Sequence, residues 1–89
     1  MKQQTVQELI KPIKHYHWIV WHPDLLGGKP TVRGTRISVS QVLQLLSRGA
    51  TPKDFTDDYE GFPAEAIPEI LRFAAEQSRK PVDPDDVAA

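Results

Sequence analysis

The sequence predicts a mainly α fold: a tri-helical bundle of helix-turn-helix type with a short N-terminal strand or hairpin region before it. Three observations carry that prediction. Two capping signatures, Ser38-Val39-Ser40-Gln41 and Thr51-Pro52-Lys53-Asp54, each open a short segment with an apolar stripe. A third stripe of Ile67, Ile70, Leu71 and Ala74 recurs at helical spacing. Ahead of them, HYHWIVWH (residues 15–22) is aromatic and β-branched, and GGKPTVRGTR (residues 27–36) is rich in glycine and cations.

The elements follow in order. Thr5-Val6-Gln7-Glu8 has capping-box spacing, with Val6, Leu9, Ile10 and Ile13 on one face, so residues 1–14 read as an amphipathic helix or arm that Pro12 disrupts. A helix this short is marginal in water and needs the body or a partner to cover it. Residues 15–22 read as a strand, with Tyr16, Trp18 and Val20 on one face and His15, His17, Ile19 and Trp21 on the other. Both faces are partly apolar, which predicts cover on two sides and a homodimer contact through Tyr16, Trp18, Val20 and Trp21. In the loop, Gly28 and Gly34 supply positive φ, Pro30 stiffens the chain, Thr35 completes the turn, and Arg36-Ile37 returns as a strand beside residues 18–21.

From Ser38 the period is helical. Val39, Val42, Leu43 and Leu46 form the buried stripe of the first bundle helix, and Gly49 sits where a C-cap glycine belongs. Thr51 caps the second, with Pro52 at its first position and Phe55 and Tyr59 facing inward. Glu60-Gly61-Phe62-Pro63 turns the chain into the third, which carries Phe73 beside its stripe. Pro68 makes residues 64–67 a loose first turn, with the regular helix running from near Pro68 to near Arg79. Residues 15–79 are thus one domain, and residues 80–89 an acidic, disordered tail.

At 89 residues with 39% hydrophobic content, a single core only marginally offsets chain entropy, so a second copy or a partner is expected. The mean hydropathy of −0.43, the lack of any long uncharged apolar run and the polar start MKQQTVQELIK predict no membrane association. Zero cysteines fit a cytoplasmic protein. The net charge of −1 hides a split: residues 1–53 hold eight Lys/Arg against two acids, and residues 54–89 hold three against ten. The basic half suits a polyanion or an acidic partner, and equally the opposite surface of a dimer mate.

No catalytic constellation is visible. Ser38 and Ser40 belong to a helix cap, the histidines to a strand, and Asp57-Asp58 are sequential residues pointing different ways. His15 and His17 share a face, but there is no cysteine and no nearby carboxylate other than Asp24, so neither a metal nor a cofactor is expected. A nucleotide-hydrolase phosphate loop is ruled out because Pro30 follows Lys29 and Pro23 stands where the first glycine is needed. Two readings of residues 27–36 remain: a looser anion site around Lys29, Arg33 and Arg36, or simply a turn that holds the fold.

The segment GGKPTVRGTRISV, followed by Leu43, Gly49, Asp58-Tyr59, Ile67, Leu71 and Ala74, resembles the prokaryotic domain of unknown function 433 family, whose hallmark is G-[KR]-P-x-[IV]-x-G-T-R-[IL]-x-V. The likeness runs from about Tyr16 to Gln77. It implies a homeodomain-like tri-helical fold and a role as an antitoxin paired with a PIN-like ribonuclease toxin. The chain departs from the pattern at His22, where an acid or small polar residue is usual, at Pro63, which replaces a capping hydroxyl, and at Pro68.

Three functions follow as expectations. The first is an antitoxin that neutralises a PIN-like ribonuclease and autoregulates its operon, an arginine fork engaging the carboxylates of the nuclease; Arg33 and Arg36, or Arg79 and Lys80, supply the fork. The second is a stand-alone DNA-binding regulator. Its third helix sets Glu65, Glu69 and Glu76 against Arg72 and Arg79, and its second sets Lys53 against three aspartates, so contacts to operator DNA fall to Lys29, Arg33, Arg36 and Arg48. The third is an interaction domain with some other target.

Overall fold

The computed structural model describes residues 10–88. The helix expected to open at Thr5 lies outside those residues. Within them a small three-stranded antiparallel sheet is followed by three α-helices: β1 (Lys11–Pro12), β2 (Ile19–Trp21), β3 (Thr31–Val32), α1 (Val39–Ser47), α2 (Pro52–Asp58) and α3 (Ala66–Gln77). Two 3-10 turns, Leu26–Gly28 and Pro84–Asp86, complete the described elements.

The sheet corrects several expectations. It begins at Lys11, so the end of the expected arm is a strand of the domain, opposite β2 with Lys11 facing Trp21 and Pro12 facing Val20. Only the second half of the aromatic run is strand. The first half forms a turn in which Ile13 N–H donates to Ile19 O and Tyr16 N–H to Ile13 O, both at 2.9 Å, with Lys14 left-handed at φ +49°. Thr31–Val32, not Arg36-Ile37, pairs with β2, through Ile19↔Val32 and Val20↔Thr31. Ile37 folds back on β3 instead, accepting from Val32 N–H at 2.9 Å, while Thr31 bridges to Ser38.

The helix boundaries follow local chemistry. Ser38 Oγ accepts from Gln41 N–H at 3.0 Å to cap α1, and Gly49, at φ +97°, ends it. At α2 the capping box is reciprocal: Thr51 N–H donates to Asp54 Oδ2 at 2.8 Å, and Asp54 N–H to Thr51 Oγ1 at 3.3 Å. Helix α3 starts at Ala66, two residues before the expected Pro68. Pro68 is tolerated because it is the third helical residue, where the missing N–H would have no intrahelical acceptor.

The core joins sheet to bundle. Ile19 and Val32 meet Val39 and Val42 of α1, Phe55 of α2, Phe62, and Ala66, Ile67 and Ile70 of α3. Phe55 stacks on Phe62 at 5.1 Å between centroids, and Tyr16 meets Phe73 edge-on at 5.6 Å. Two stripe assignments are corrected. Leu71 is 49% exposed, and Glu69, counted on the outward face of the third helix, is buried at 8% exposure. The helix is turned so that Glu69 meets the sheet end, which moves Leu71 to the far side.

Candidate functional site

The glycine-rich stretch folds as two turns. In the first, Leu26, Gly27 and Gly28 are left-handed in succession, at φ +50°, +65° and +82°, closed by Gly28 N–H to Leu25 O at 3.0 Å. The two glycines accept that conformation freely, whereas it costs Leu26 about 1–2 kcal/mol. In the second, Thr35 N–H donates to Val32 O at 3.1 Å around Arg33 and Gly34. With Gly34 at φ +79° and Arg33 outside the left-handed region, this is a type II turn. The Thr35 hydroxyl holds both sides of it, donating to Val32 O at 2.8 Å and accepting from Ile37 N–H at 3.0 Å.

The cations expected to bind a partner, and Lys11 of β1, do different jobs. Arg33 is half-buried and reaches back to the β1–β2 turn: its backbone N–H donates to Trp18 O at 2.8 Å and its Nε–H to His17 O at 2.7 Å. The bracing arginine of the loop is therefore Arg33, which spends its Nε–H within the chain. Arg36 is exposed beside the type II turn and makes no hydrogen bond or ion pair among the described residues. Lys29 and Lys11 are exposed as well, and Arg48 is exposed at the C-cap of α1.

Arg79 and Lys80 sit apart from this loop. With Lys14 from the β1–β2 turn, and Glu76 and Gln77 of α3, they line an open cleft of about 390 Å³. Sequence spacing hid Lys14, which is brought there by the hairpin. Glu76 Oε1 lies 3.4 Å from His15 Nε2, and the Tyr16 hydroxyl followed by His15 holds the Glu76 carboxyl below the usual carboxylate value. The Tyr16 hydroxyl itself is buried with no hydrogen bond of good geometry; burial first, then the Glu76 carboxylate, pushes its pKa up to about 12. Among the described residues no three His, Asp or Glu side chains gather as metal ligands.

The strand expected to make a dimer contact is largely buried within the chain itself. Tyr16 and Val20 are 2% and 1% exposed, and Trp18 packs half-buried against the core. β2 is also the central strand, with both edges paired. Of the four residues assigned to that contact only Trp21 is exposed. His22, out of pattern in the sequence, is buried, and its Nδ1 accepts from Asp24 N–H at 3.0 Å. An Asx oxygen makes that same two-residue bond, which explains why an imidazole can replace an acid or small polar residue there.

Charge is segregated by layer. Residues 10–38, the sheet and its loops, carry five Lys/Arg and one acid, Asp24, while residues 39–88 carry five and ten. No helix among the described residues is long and apolar enough to cross a membrane. The family model described as "Protein of unknown function (DUF433)" matches residues 19–74, which include Lys29, Arg33, Arg36 and Arg48 and leave out Lys14, Arg79 and Lys80. No curated protein and no solved structure matches the chain.

Proposed function

Since the chain belongs to the DUF433 family, whose description assigns no activity, we propose its function from the exposed charge of the matched segment: it is a non-enzymatic binding protein of antitoxin type, whose partner is a PIN-like ribonuclease. The observation that carries this reading is the contrast between Arg33 and Arg36. Arg33, Thr35 and Gly34 hold the hairpin, and Arg36 projects from that rigid frame with no partner among the described residues. A guanidinium presented in this way is ordered at its base and unspent at its tip, which suits bidentate engagement of a carboxylate on the partner. Lys29, exposed in the same glycine-rich stretch, adds a point charge.

The test is protection in cells that co-express the partner nuclease. Arg36→Ala combined with Lys29→Ala is expected to abolish protection while leaving the melting temperature unchanged. Full protection by that double variant overturns the reading.

A second reading, operator binding through a homodimer with α3 as the reading helix of a helix-turn-helix, gains from one observation. With Glu69 buried and Glu76 facing His15, the exposed ions of α3 and its end are Arg72, Arg79 and Lys80 against Glu65. The acidic character assigned to this helix from its sequence is therefore smaller on its surface. Operator binding lost in Arg72→Ala but retained in Arg36→Ala is the result that favours it.

A further inference from the structure

We propose that Trp21 is a stacking platform for single-stranded nucleic acid, served by Lys11 and Lys29. Trp21 is 42% exposed and is the last residue of β2, directly opposite Lys11 in the antiparallel ladder. Directly paired residues project from the same face, so Lys11 and Trp21 are neighbours on that face and the ammonium is within reach of the indole. On its other flank the indole Nε1 lies 3.6 Å from the place a Cβ on Gly28 would take, so the left-handed turn packs against the N–H edge of the ring. Lys29 follows at once and is exposed. The left-handed run ends at this point, so Lys29 leaves the turn with extended backbone, at φ −77°.

Three features single out the occupant. The exposed group is aromatic and planar, and every base offers a π-face to such a surface. The neighbouring charges are cations, Lys11 paired across the ladder and Lys29 next in the chain after Gly28, which fits backbone phosphates flanking a stacked base. The wider sheet layer is basic, with Asp24 its lone acid among residues 10–38, which suits a polyanion and repels the same layer of a second copy. A strand-edge contact is blunted here by Pro12, which has no N–H to give. The platform shares Lys29 with the toxin reading but not Arg36, and Trp21 and Lys11 belong to it alone, so Trp21→Ala tests this inference and Arg36→Ala tests the toxin reading separately.

The experiment is fluorescence anisotropy of dye-labelled oligo(dT) and oligo(U) against the full chain. Both single strands are expected to bind, with Trp21→Ala weakening the affinity about ten-fold or more and Trp21→Phe retaining most of it. Lys11→Gln and Lys29→Gln are each expected to reduce the log-log salt slope by about 0.7. Circular dichroism of Trp21→Phe checks that the sheet is intact. The proposal is overturned if Trp21→Ala binds as tightly as the parent, if a duplex of equal length binds as tightly as the single strands, or if anionic lipid vesicles bind and the oligonucleotides do not. It is also overturned if sedimentation shows a dimer, abolished by Trp21→Ala, that no oligonucleotide dissociates.

Discussion

Glu69 of α3 accepts a hydrogen bond from the backbone N–H of Trp18 at 2.7 Å, across 51 residues of sequence. The bond satisfies a donor at the end of the β1–β2 turn just before β2 begins, and it ties the sheet layer to the helical one. Removing the acceptor strands a partly buried N–H. Glu69→Ala is expected to destabilise the fold by about 1–3 kcal/mol, and Glu69→Gln, which keeps an oxygen in place, by less. Urea titration reads both, and equal stabilities for the two variants would show that the bond is replaced by water.

Trp18 makes the same junction from the other side. Its indole packs half-buried on the core, so Trp18→Asp is expected to unfold the chain rather than release a folded monomer from a dimer. Sedimentation and circular dichroism on one sample separate the outcomes: a folded, monomeric Trp18→Asp protein would restore the strand as a dimer contact.

Gly34 tests the hairpin. Space around its position is open, with nothing within 4 Å of an added Cβ, so the cost of substitution is conformational alone. At φ +79°, Gly34→Ala is expected to lose about 1 kcal/mol and Gly34→Val more, since β-branching resists the left-handed region. Arg33→Ala should lower the melting temperature too, because it cuts the tie to His17 O. Thermal melts of the three variants check this, and an unchanged Arg33→Ala melt would return that side chain to the binding surface.

His22 is expected to be replaceable by Asn or Asp but not by Ala. Both oxygens can accept from the Asp24 N–H that Nδ1 now holds. Native-state hydrogen exchange at Asp24 is the readout: fast exchange in His22→Ala and slow exchange in His22→Asn is the expected pattern, and fast exchange in both would tie the site to imidazole shape instead.

Alkaline unfolding should involve Tyr16. Its pKa is raised from 10.0 to about 12, so the neutral phenol is favoured in the folded state. That contribution is fully present below pH 10 and is lost as pH rises through the window up to about 12. Glu76 has the opposite sign: its lowered pKa contributes stability above the ordinary carboxylate value that is lost as pH falls through the folded one. Tyr16→Phe should remove the alkaline component followed by phenolate absorbance, and an identical alkaline midpoint in that variant would exclude the phenol as its source.

The helical half was legible because its signals are local. Ser38 and Thr51 cap through bonds three residues long, Gly49 ends α1 by its own φ, and the two-turn character of residues 27–36 follows from where glycine stands. The sheet was less legible. A run such as HYHWIVWH has β propensity throughout, yet the positive φ of Lys14 and the pairing of Pro12 with Val20 turn its first half into a hairpin loop. The spacing of α3 set Leu71 in the stripe with Ile67, Ile70 and Ala74 and Glu69 outside it, and the partner that turns Glu69 inward, the Trp18 N–H, lies 51 residues away in the chain.

By itself, then, the sequence determined the three helices, the caps of α1 and α2, and the separation of basic from acidic halves, since each depends on residues within a few positions of one another or on composition alone. Tertiary structure decided the rest. Arg33 could become a brace, and Arg36 be left without a partner among the described residues, only once His17 O was brought within 2.7 Å, and Glu69 could turn inward only once the Trp18 N–H needed an acceptor. Those choices are made by donors and acceptors that are distant in the chain, where satisfying a buried backbone group outweighs the helical periodicity of a single side chain.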